Sequence, residues 1–273
     1  MLIFVHIEKT GGRTVRYIQR SSYGLRHCEV EPDGLWEAPP FSTTDLRRIR
    51  RLYPNLASLA AHRVTAFVDL EEPGTHFRYF TLLRDPLKMG ASRYQFHLAR
   101  KKNKLPFAEW IQKEAVQNAQ TKQIAGVASA ADAIRVIERK SVFVGLTEHF
   151  DESLVLLKSL LAPDLDIGYE SVNVARGNTL AKDLLATPST RQALIEVNGA
   201  DLELYEYART ELYPALQREY GPSLTEAVAD YQQHSRRTFN RTKLTLSRVK
   251  QYGVYKPTLR LYRGNTSGMR ATS

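Results

Sequence analysis

Residues 4–19, FVHIEKTGGRTVRYIQ, decide the fold class of this chain. An apolar run typical of a buried strand ends at the turn KTGG, residues 9–12, and a helical pattern begins near residue 14. Strands that lead through glycine turns into helices are the building units of α/β proteins. The stretch therefore predicts an α/β fold whose first strand spans residues 2–7.

A second stretch of the same kind lies at residues 79–94, YFTLLRDPLKMGASRY. A strand predicted at 79–83 ends at Arg84, and Pro86 suits the first turn of a helix. A third strand is predicted at 142–144, again followed by a helix. Because strands and helices alternate, we expect a P-loop-like three-layer sandwich with a central parallel sheet flanked by helices.

Composition limits the classes of protein to which the chain can belong. Its 273 residues are 42% hydrophobic, which is enough for a substantial core. No apolar run reaches the ~20 residues that cross a bilayer, and residues 1–5 are too short for the core of a signal peptide. The single cysteine, Cys28, excludes an internal disulfide and a cysteine-based zinc site. We therefore expect a cytoplasmic protein.

The net charge of +10 is concentrated near the end of the sequence. Residues 223–273 contain ten Lys or Arg and two acidic residues, so most of the excess lies there. We predict a domain of residues 1–222 followed by a basic extension, 223–273. The extension is either a solvated tail packed on the body or an arm that contacts an anionic surface or a second subunit.

Both strand-to-helix turns have the chemistry of a phosphate site. The N-terminus of a helix offers unpaired N–H groups and a partial positive charge, and glycines let the backbone approach an anion. Lys9 adds a charge, while Thr10 and Thr14 add hydroxyl donors. Arg84 and Ser92 could hold a second phosphate. Alternatively, the first turn is an ordinary tight turn, and Arg84 pairs with Asp85 to close the second.

The Walker A pattern is not met, because Lys9 precedes the glycines. Four stretches instead resemble the PAPS-dependent sulfotransferases, in matching order over about the first 160 residues. They are HIEKTGGRTV, which resembles the 5′-phosphosulfate loop, TLLRDPLKMGASRYQF, which resembles the 3′-phosphate motif, NAQTKQIAG and VGLTEHFDESLVLLK. The carbohydrate branch, with the heparan-sulfate 2-O-type enzymes and bacterial sulfotransferase family 2, is the most similar. Three positions depart from its motifs, namely Glu8 for proline, Arg13 for a small hydroxyl residue and Lys88 for arginine.

The resemblance implies an enzyme that moves a sulfuryl group from 3′-phosphoadenosine 5′-phosphosulfate (PAPS) to an acceptor hydroxyl and leaves the bisphosphate PAP. The acceptor would be a glycan or glycolipid, with neither a metal nor a nucleic acid involved. Lys9 would stabilise charge on the leaving phosphate. The implied cofactor-binding residues are Lys9, Thr10, Gly11, Gly12, Arg13 and Thr14 at the 5′-phosphate, and Arg84, Ser92 and Arg176 at the 3′-phosphate. The alternative for Arg176 is an ordinary exposed loop.

A hydroxyl acceptor needs a general base, and histidine titrates closest to neutral pH. We choose His62, which lies between the two phosphate motifs and before an apolar stretch, where the family has a histidine. His6 is the rival, whereas His149 is expected to cap or pack. Glu8 is a poorer base because the sulfate would repel it.

Three questions stay open at this stage. NAQTKQIAG, residues 118–126, is either a cofactor or substrate contact or a polar helix end. Besides sulfuryl transfer, the chain could be a P-loop-like kinase or a non-catalytic anion-binding protein led by the basic tail. A sulfotransferase fold that binds PAPS without turnover is a further alternative, because of Glu8 and Arg13.

Overall fold

Five parallel strands form the central sheet of the computed structural model, which describes residues 1–30, 39–100, 104–170 and 179–259. The strands are β1 (Leu2–Val5), β2 (His27–Glu29), β3 (Ser58–Ala61), β4 (Arg78–Leu83) and β5 (Phe143–Leu146). Their order across the sheet is β2-β3-β1-β4-β5. The predicted α/β fold with a central parallel sheet is therefore confirmed.

Helices flank the sheet and connect its strands. In the described residues they are α1 (Gly12–Tyr23), α2 (Thr43–Leu52), α3 (Pro86–Ala99), α4 (Phe107–Trp110), α5 (Ala119–Ala125), α6 (Ala130–Lys140), α7 (Phe150–Leu160), α8 (Thr179–Ala186), α9 (Pro188–Val197), α10 (Gly199–Tyr207), α11 (Tyr213–Tyr220), α12 (Leu224–Asp230) and α13 (Arg241–Lys250). None of the described helices is long and apolar enough to cross a membrane.

The two strands that lead into the phosphate motifs are neighbours. β1 pairs with β4 in parallel, with Leu2 opposite Arg78 and Phe4 opposite Phe80. On its other side β1 pairs with β3, with Val5 opposite Ala61. Parallel strands end at the same edge of a sheet, where open α/β folds bind their ligands. The turn after β1 consequently lies between the ends of β3 and β4.

The sequence analysis predicted β1, β4 and β5, although their ends differ by one to two residues, and did not predict β2 or β3. These two strands have only three and four residues. β2 reads His-Cys-Glu, and β3 is a short run of serine, leucine and two alanines. Neither shows the apolar run or the alternation that marks a strand in a sequence.

Part of the predicted basic extension is packed into the body of the protein. Leu244 and Tyr255 belong to the same buried cluster as the strands of the sheet. The Gln251 side chain pairs with the backbone of edge strand β2, accepting from Glu29 N (3.3 Å) and donating to Glu29 O (2.6 Å). As far as residue 259, the extension is thus an integral part of the fold.

Candidate functional site

The turn between β1 and α1 has the backbone geometry of an anion cradle. Gly11 precedes the helix with φ +82°, and no side chain caps the helix N-terminus. A Cβ at Gly12 would collide with the ring of His6, so only glycine fits there. Lys9 has a positive φ of 70°, which is uncommon outside glycine and typical of functional turns. The first N–H groups of α1 therefore face a space that no capping side chain fills.

The hydroxyl of Thr10 does not point toward this space. Thr10 is fully buried, and its Oγ1 donates to the carbonyl of Ile7 at 3.0 Å. The expectation that the side chain donates to a phosphate is therefore not met, because the hydroxyl holds the turn together. Thr10 can contribute its backbone N–H to an anion, and Thr14, which is half-buried, keeps its place in the first turn of α1.

Arg84 joins the second turn to the first. Its Nη1 donates to the carbonyl oxygen of Lys9 at 3.0 Å. Its own backbone is held by the buried side chain of Gln120, which accepts from Arg84 N at 3.0 Å and donates to Arg84 O at 2.9 Å. The two turns, 75 residues apart in the chain, are therefore in direct contact.

Positive charge is concentrated around the ring of Phe96, on α3. Lys9 Nζ lies 4.3 Å from the ring centroid, and the guanidinium carbons of Arg100 and Arg13 lie 4.7 and 5.8 Å from it. Burial lowers the pKa of Lys9, and the charges of Arg84, Arg13 and Arg100 lower it further, against an opposing effect of Glu8. Such a concentration of cations favours a ligand with several negative charges. Ser92, half-buried, lies one helical turn before Phe96.

Glu8 points away from this cationic group. Its carboxylate accepts from Arg93 Nε at 2.7 Å and lies 3.3 Å from His97 Nε2, both on α3. Burial alone would raise the pKa of Glu8, but the hydrogen bond with His97 and the charge of Arg93 outweigh it and lower the pKa to about 2. The acid that replaces the family's proline is thus neutralised by the neighbouring helix, and so low a pKa makes it a poor base.

His62 lies immediately after β3, beside the β1 turn. Its Nδ1 is 2.9 Å from the carbonyl oxygen of His6, and the two imidazole rings stack with centroids 3.9 Å apart. Donation from Nδ1 to that carbonyl leaves the lone pair on Nε2. Burial is the main cause that lowers the pKa of His62, and the charge of Arg16 adds to it. A neutral imidazole able to accept a proton is the expected result.

The other histidines have structural surroundings. His6 is buried, its ring packs against Gly12, and burial holds its pKa well below the usual value. His97 Nε2 lies 3.3 Å from the carboxylate of Glu8. His149 is exposed, and its ring packs on that of Tyr213 with centroids 5.5 Å apart, while the ring of the next residue, Phe150, lies against Gly11 of the β1 turn. The geometry thus favours His62 among the candidates for a base.

Helix α5, from the NAQTKQIAG motif, holds the backbone of the Arg84 turn and of the segment that follows β3. Gln120 brackets the backbone of Arg84, and Gln123 Nε2 donates to the carbonyls of His62 (2.7 Å) and Val64 (2.8 Å). The buried carboxylate of Asp201 caps the helix by accepting from the amides of Gln120 and Thr121 at 2.9 and 2.8 Å. These contacts are those expected of a polar helix end, one of the two interpretations of this stretch.

A family model of galactose-3-O-sulfotransferases matches residues 103–252, more than half of the chain. The chain belongs to this family. The predicted assignment to the carbohydrate type of sulfotransferase is confirmed. A crystal structure of a sulfotransferase from Alicyclobacillus acidocaldarius is also similar, with a TM-score of 0.46 and 15% sequence identity. The match covers 79% of this chain and 98% of that chain, but the similarity is too low to support a conclusion. Among curated proteins none matches significantly.

The match to the galactose-3-O-sulfotransferase family begins after the two phosphate turns. It includes α5, Asp201 and α13, but neither residues 9–14 nor residues 84–92. The family match therefore gives no information about those turns, and the roles proposed for them in this sulfotransferase are inferred from their geometry. Arg176, which was expected at the 3′-phosphate, lies outside the described residues.

Several site residues of this sulfotransferase were not found by sequence reasoning. Phe96 and Arg100 follow Ser92 by one and two helical turns, so the helical period could have placed them on the same side of α3. Gln123 and Asp201 gave no such signal, because their roles depend on contacts 61 and 81 residues away in the chain.

Proposed function

We propose that the chain transfers a sulfuryl group from PAPS to a hydroxyl of a carbohydrate acceptor, with His62 as general base. The observation that supports the proposal is the hydrogen bond of Arg84 to the Lys9 carbonyl, because it brings together the two turns that we propose bind phosphate. A ligand with phosphates at both ends of an adenosine requires that arrangement. Membership of a sulfotransferase family supports the same reaction class.

The residues present fit such a nucleotide. The N-terminus of α1 with its αL glycine, together with Lys9 and Arg13, would bind the 5′ end through amides and charge. Arg84 and Ser92 would hold the 3′-phosphate, with the Arg84 backbone fixed by Gln120. When bound, PAPS would supply the activated sulfuryl group.

The residues of this chain would assist the transfer in two ways. Lys9 offers an ammonium, held over the Phe96 ring, that can stabilise negative charge where a phosphate leaves. His62 Nε2 would take the proton of the acceptor hydroxyl, while the His6 carbonyl fixes the tautomer through Nδ1. Glu8 contributes no proton transfer, because its pKa is about 2.

The proposed acceptor is a galactoside, on a glycan or a glycolipid, because the matching family is named for transfer to O3 of galactose. A direct test is to incubate the protein with PAPS and a panel of galactosides, glucosides and uronic-acid glycans. Mass spectrometry would detect the added SO₃ group, and NMR would locate it. We expect sulfated galactoside from the wild-type protein and none from His62→Ala.

A matched control is His234→Ala, since His234 is exposed on the far C-terminal segment and pairs only locally with Asp230. It should keep full turnover. Phosphoryl transfer from ATP, or PAP binding with no sulfated product from any acceptor, would contradict the proposal. The first result would favour the kinase alternative, and the second would favour a sulfotransferase fold that binds PAPS without turnover.

A further inference from the structure

Helix α13 and the chain around it carry most of the exposed apolar side chains. Of the six large hydrophobic residues exposed in the described ranges, five lie here and one, Val127, lies elsewhere. The five are Leu25, Leu246, Val249, Tyr252 and Val254. Single exposed aliphatic residues are ordinary, but several of them along one helix and the turn beside it indicate a contact surface.

Helix α13 carries apolar residues on its outward side as well as on its buried side. Leu244, Ser247 and Gln251 are buried against the body. On the opposite side, Leu246 and Val249 are 43% and 61% exposed and lie one turn apart. One π-helical turn, Gln251–Tyr255, continues the helix. Two aliphatic residues therefore form the outermost line of this surface.

Leu25 is a further exposed apolar residue, on a turn that contacts α13. It belongs to the turn Gly24–Arg26, which packs beside α13, and its carbonyl accepts from Lys250 Nζ at 3.3 Å. Gly24 approaches the side chain of Lys243 closely. We define the α13 surface as Leu25, Arg26, Lys243, Leu246, Arg248, Val249, Lys250, Tyr252, Val254 and Lys256.

The charges on the α13 surface are all of one sign. Arg26, Lys243 and Arg248 are exposed around the apolar line. No acidic residue occurs in the sequence after Asp230. In the described residues, the acid that pairs with α13 is Glu170, 3.6 Å from Arg241 at the start of the helix and outside the surface. Lys256 Nζ lies 4.2 Å from the centroid of the Tyr252 ring, and the guanidinium carbon of Arg20, which pairs with Glu29, lies 5.9 Å from it.

We propose that the α13 surface docks on a lipid bilayer that contains anionic lipids. The cations around the exposed apolar residues can pair with anionic lipid headgroups. The apolar side chains can meanwhile insert a short distance among the acyl chains. A sulfated polysaccharide or a nucleic acid would use the cations but would leave Leu246 and Val249 exposed to water. A second copy of this surface would bring like charges together, which disfavours self-association.

Vesicle co-sedimentation of the full chain tests this proposal. The probes are phosphatidylcholine vesicles with and without phosphatidylglycerol. We expect binding only when phosphatidylglycerol is present, and loss of binding as salt screens the charges. Val249→Glu should weaken vesicle binding about tenfold, since it places an acid at the point of insertion. Val249→Trp should strengthen it, because tryptophan favours the membrane interface.

Val127→Glu and Val127→Trp are matched controls, because Val127 is also exposed but lies apart from the α13 surface. Both should bind vesicles like the wild type. The proposal is overturned if the wild-type chain ignores anionic vesicles, or if the Val249 variants bind them like the wild type. It is also overturned if the chain binds heparin or forms a dimer through Val249 while vesicles have no effect.

Discussion

The ring of His6 occupies the place that a side chain at position 12 would need. Gly12→Ala should therefore displace the first turn of α1, lower the free energy of unfolding by about 1–3 kcal/mol and weaken binding of the bisphosphate PAP. Thermal unfolding and calorimetry measure the two effects. Gly199→Ala is the control, because a Cβ there meets no atom within 4 Å. Equal behaviour of the two variants would contradict the assignment of the turn.

The lowered pKa of His62 leads to a prediction about the pH dependence of turnover. Burial lowers this pKa below its usual value of 6.5, so the imidazole is neutral at pH 7 and is lost as a base only on acidification. The acid limb of kcat/KM, which reports the free protein, should therefore lie below pH 6.5, with a plateau above it. A pH–rate profile at limiting PAPS measures this. An acid limb above pH 6.5, or one that persists in His62→Ala, would assign the base to another group.

At the scale of an element, α5 holds two parts of the candidate site through two glutamines, the Arg84 turn through Gln120 and the His62 segment through Gln123. Gln120→Met leaves the N–H and C=O of Arg84 without their partners, so we expect weaker PAP binding, by about tenfold, with a smaller effect on kcat. Gln123→Met releases the carbonyls of His62 and Val64, so kcat should fall while PAP affinity is kept.

Steady-state kinetics and calorimetry separate these two effects of the α5 variants. Gln192→Met, at an exposed position on α9, is the control and should change neither quantity. If both α5 variants reduce affinity and kcat equally, the helix stabilises the site only in a general way, and the division of roles between the two glutamines is wrong.

At the scale of the whole molecule, α13 should unfold together with the sheet. Leu244 is buried in the cluster that contains the strands, so Leu244→Ala should lower the free energy of unfolding by about 2–3 kcal/mol in a single transition. Leu246→Ala, two residues further on and exposed, should cause a much smaller change. A separate early transition in the Leu244 variant would indicate that the basic segment folds as its own unit. Denaturant unfolding followed by circular dichroism distinguishes these outcomes.

Local patterns predicted the parts of the fold that are local in the chain. The two strand–turn–helix stretches around Lys9 and Arg84 predicted β1, β4 and the helices after them, because apolar runs and turn residues indicate where strands and helices begin and end. β2 and β3 were missed because His27–Glu29 and Ser58–Ala61 are too short to show a period. Their strand state comes from pairing within the sheet.

Sequence reasoning named candidate residues of the site, but not the contacts that position them. The position of Glu8 is settled by Arg93 and His97, 85 and 89 residues away, and no spacing in the sequence indicates those contacts. The inward hydroxyl of Thr10 was missed for a related reason, since a threonine in a glycine turn can donate to a ligand or to its own backbone.

Binding of adenosine 3′,5′-bisphosphate compared with ADP tests the central claim most directly, because only the former needs both turns at once. Isothermal titration of the wild-type chain and of Arg84→Ala measures it, with Arg191→Ala, an exposed arginine on α9, as control. We predict a marked preference for the bisphosphate in the wild type and the control, and loss of that preference in Arg84→Ala. Equal affinity for the two nucleotides in the wild-type chain would contradict the account.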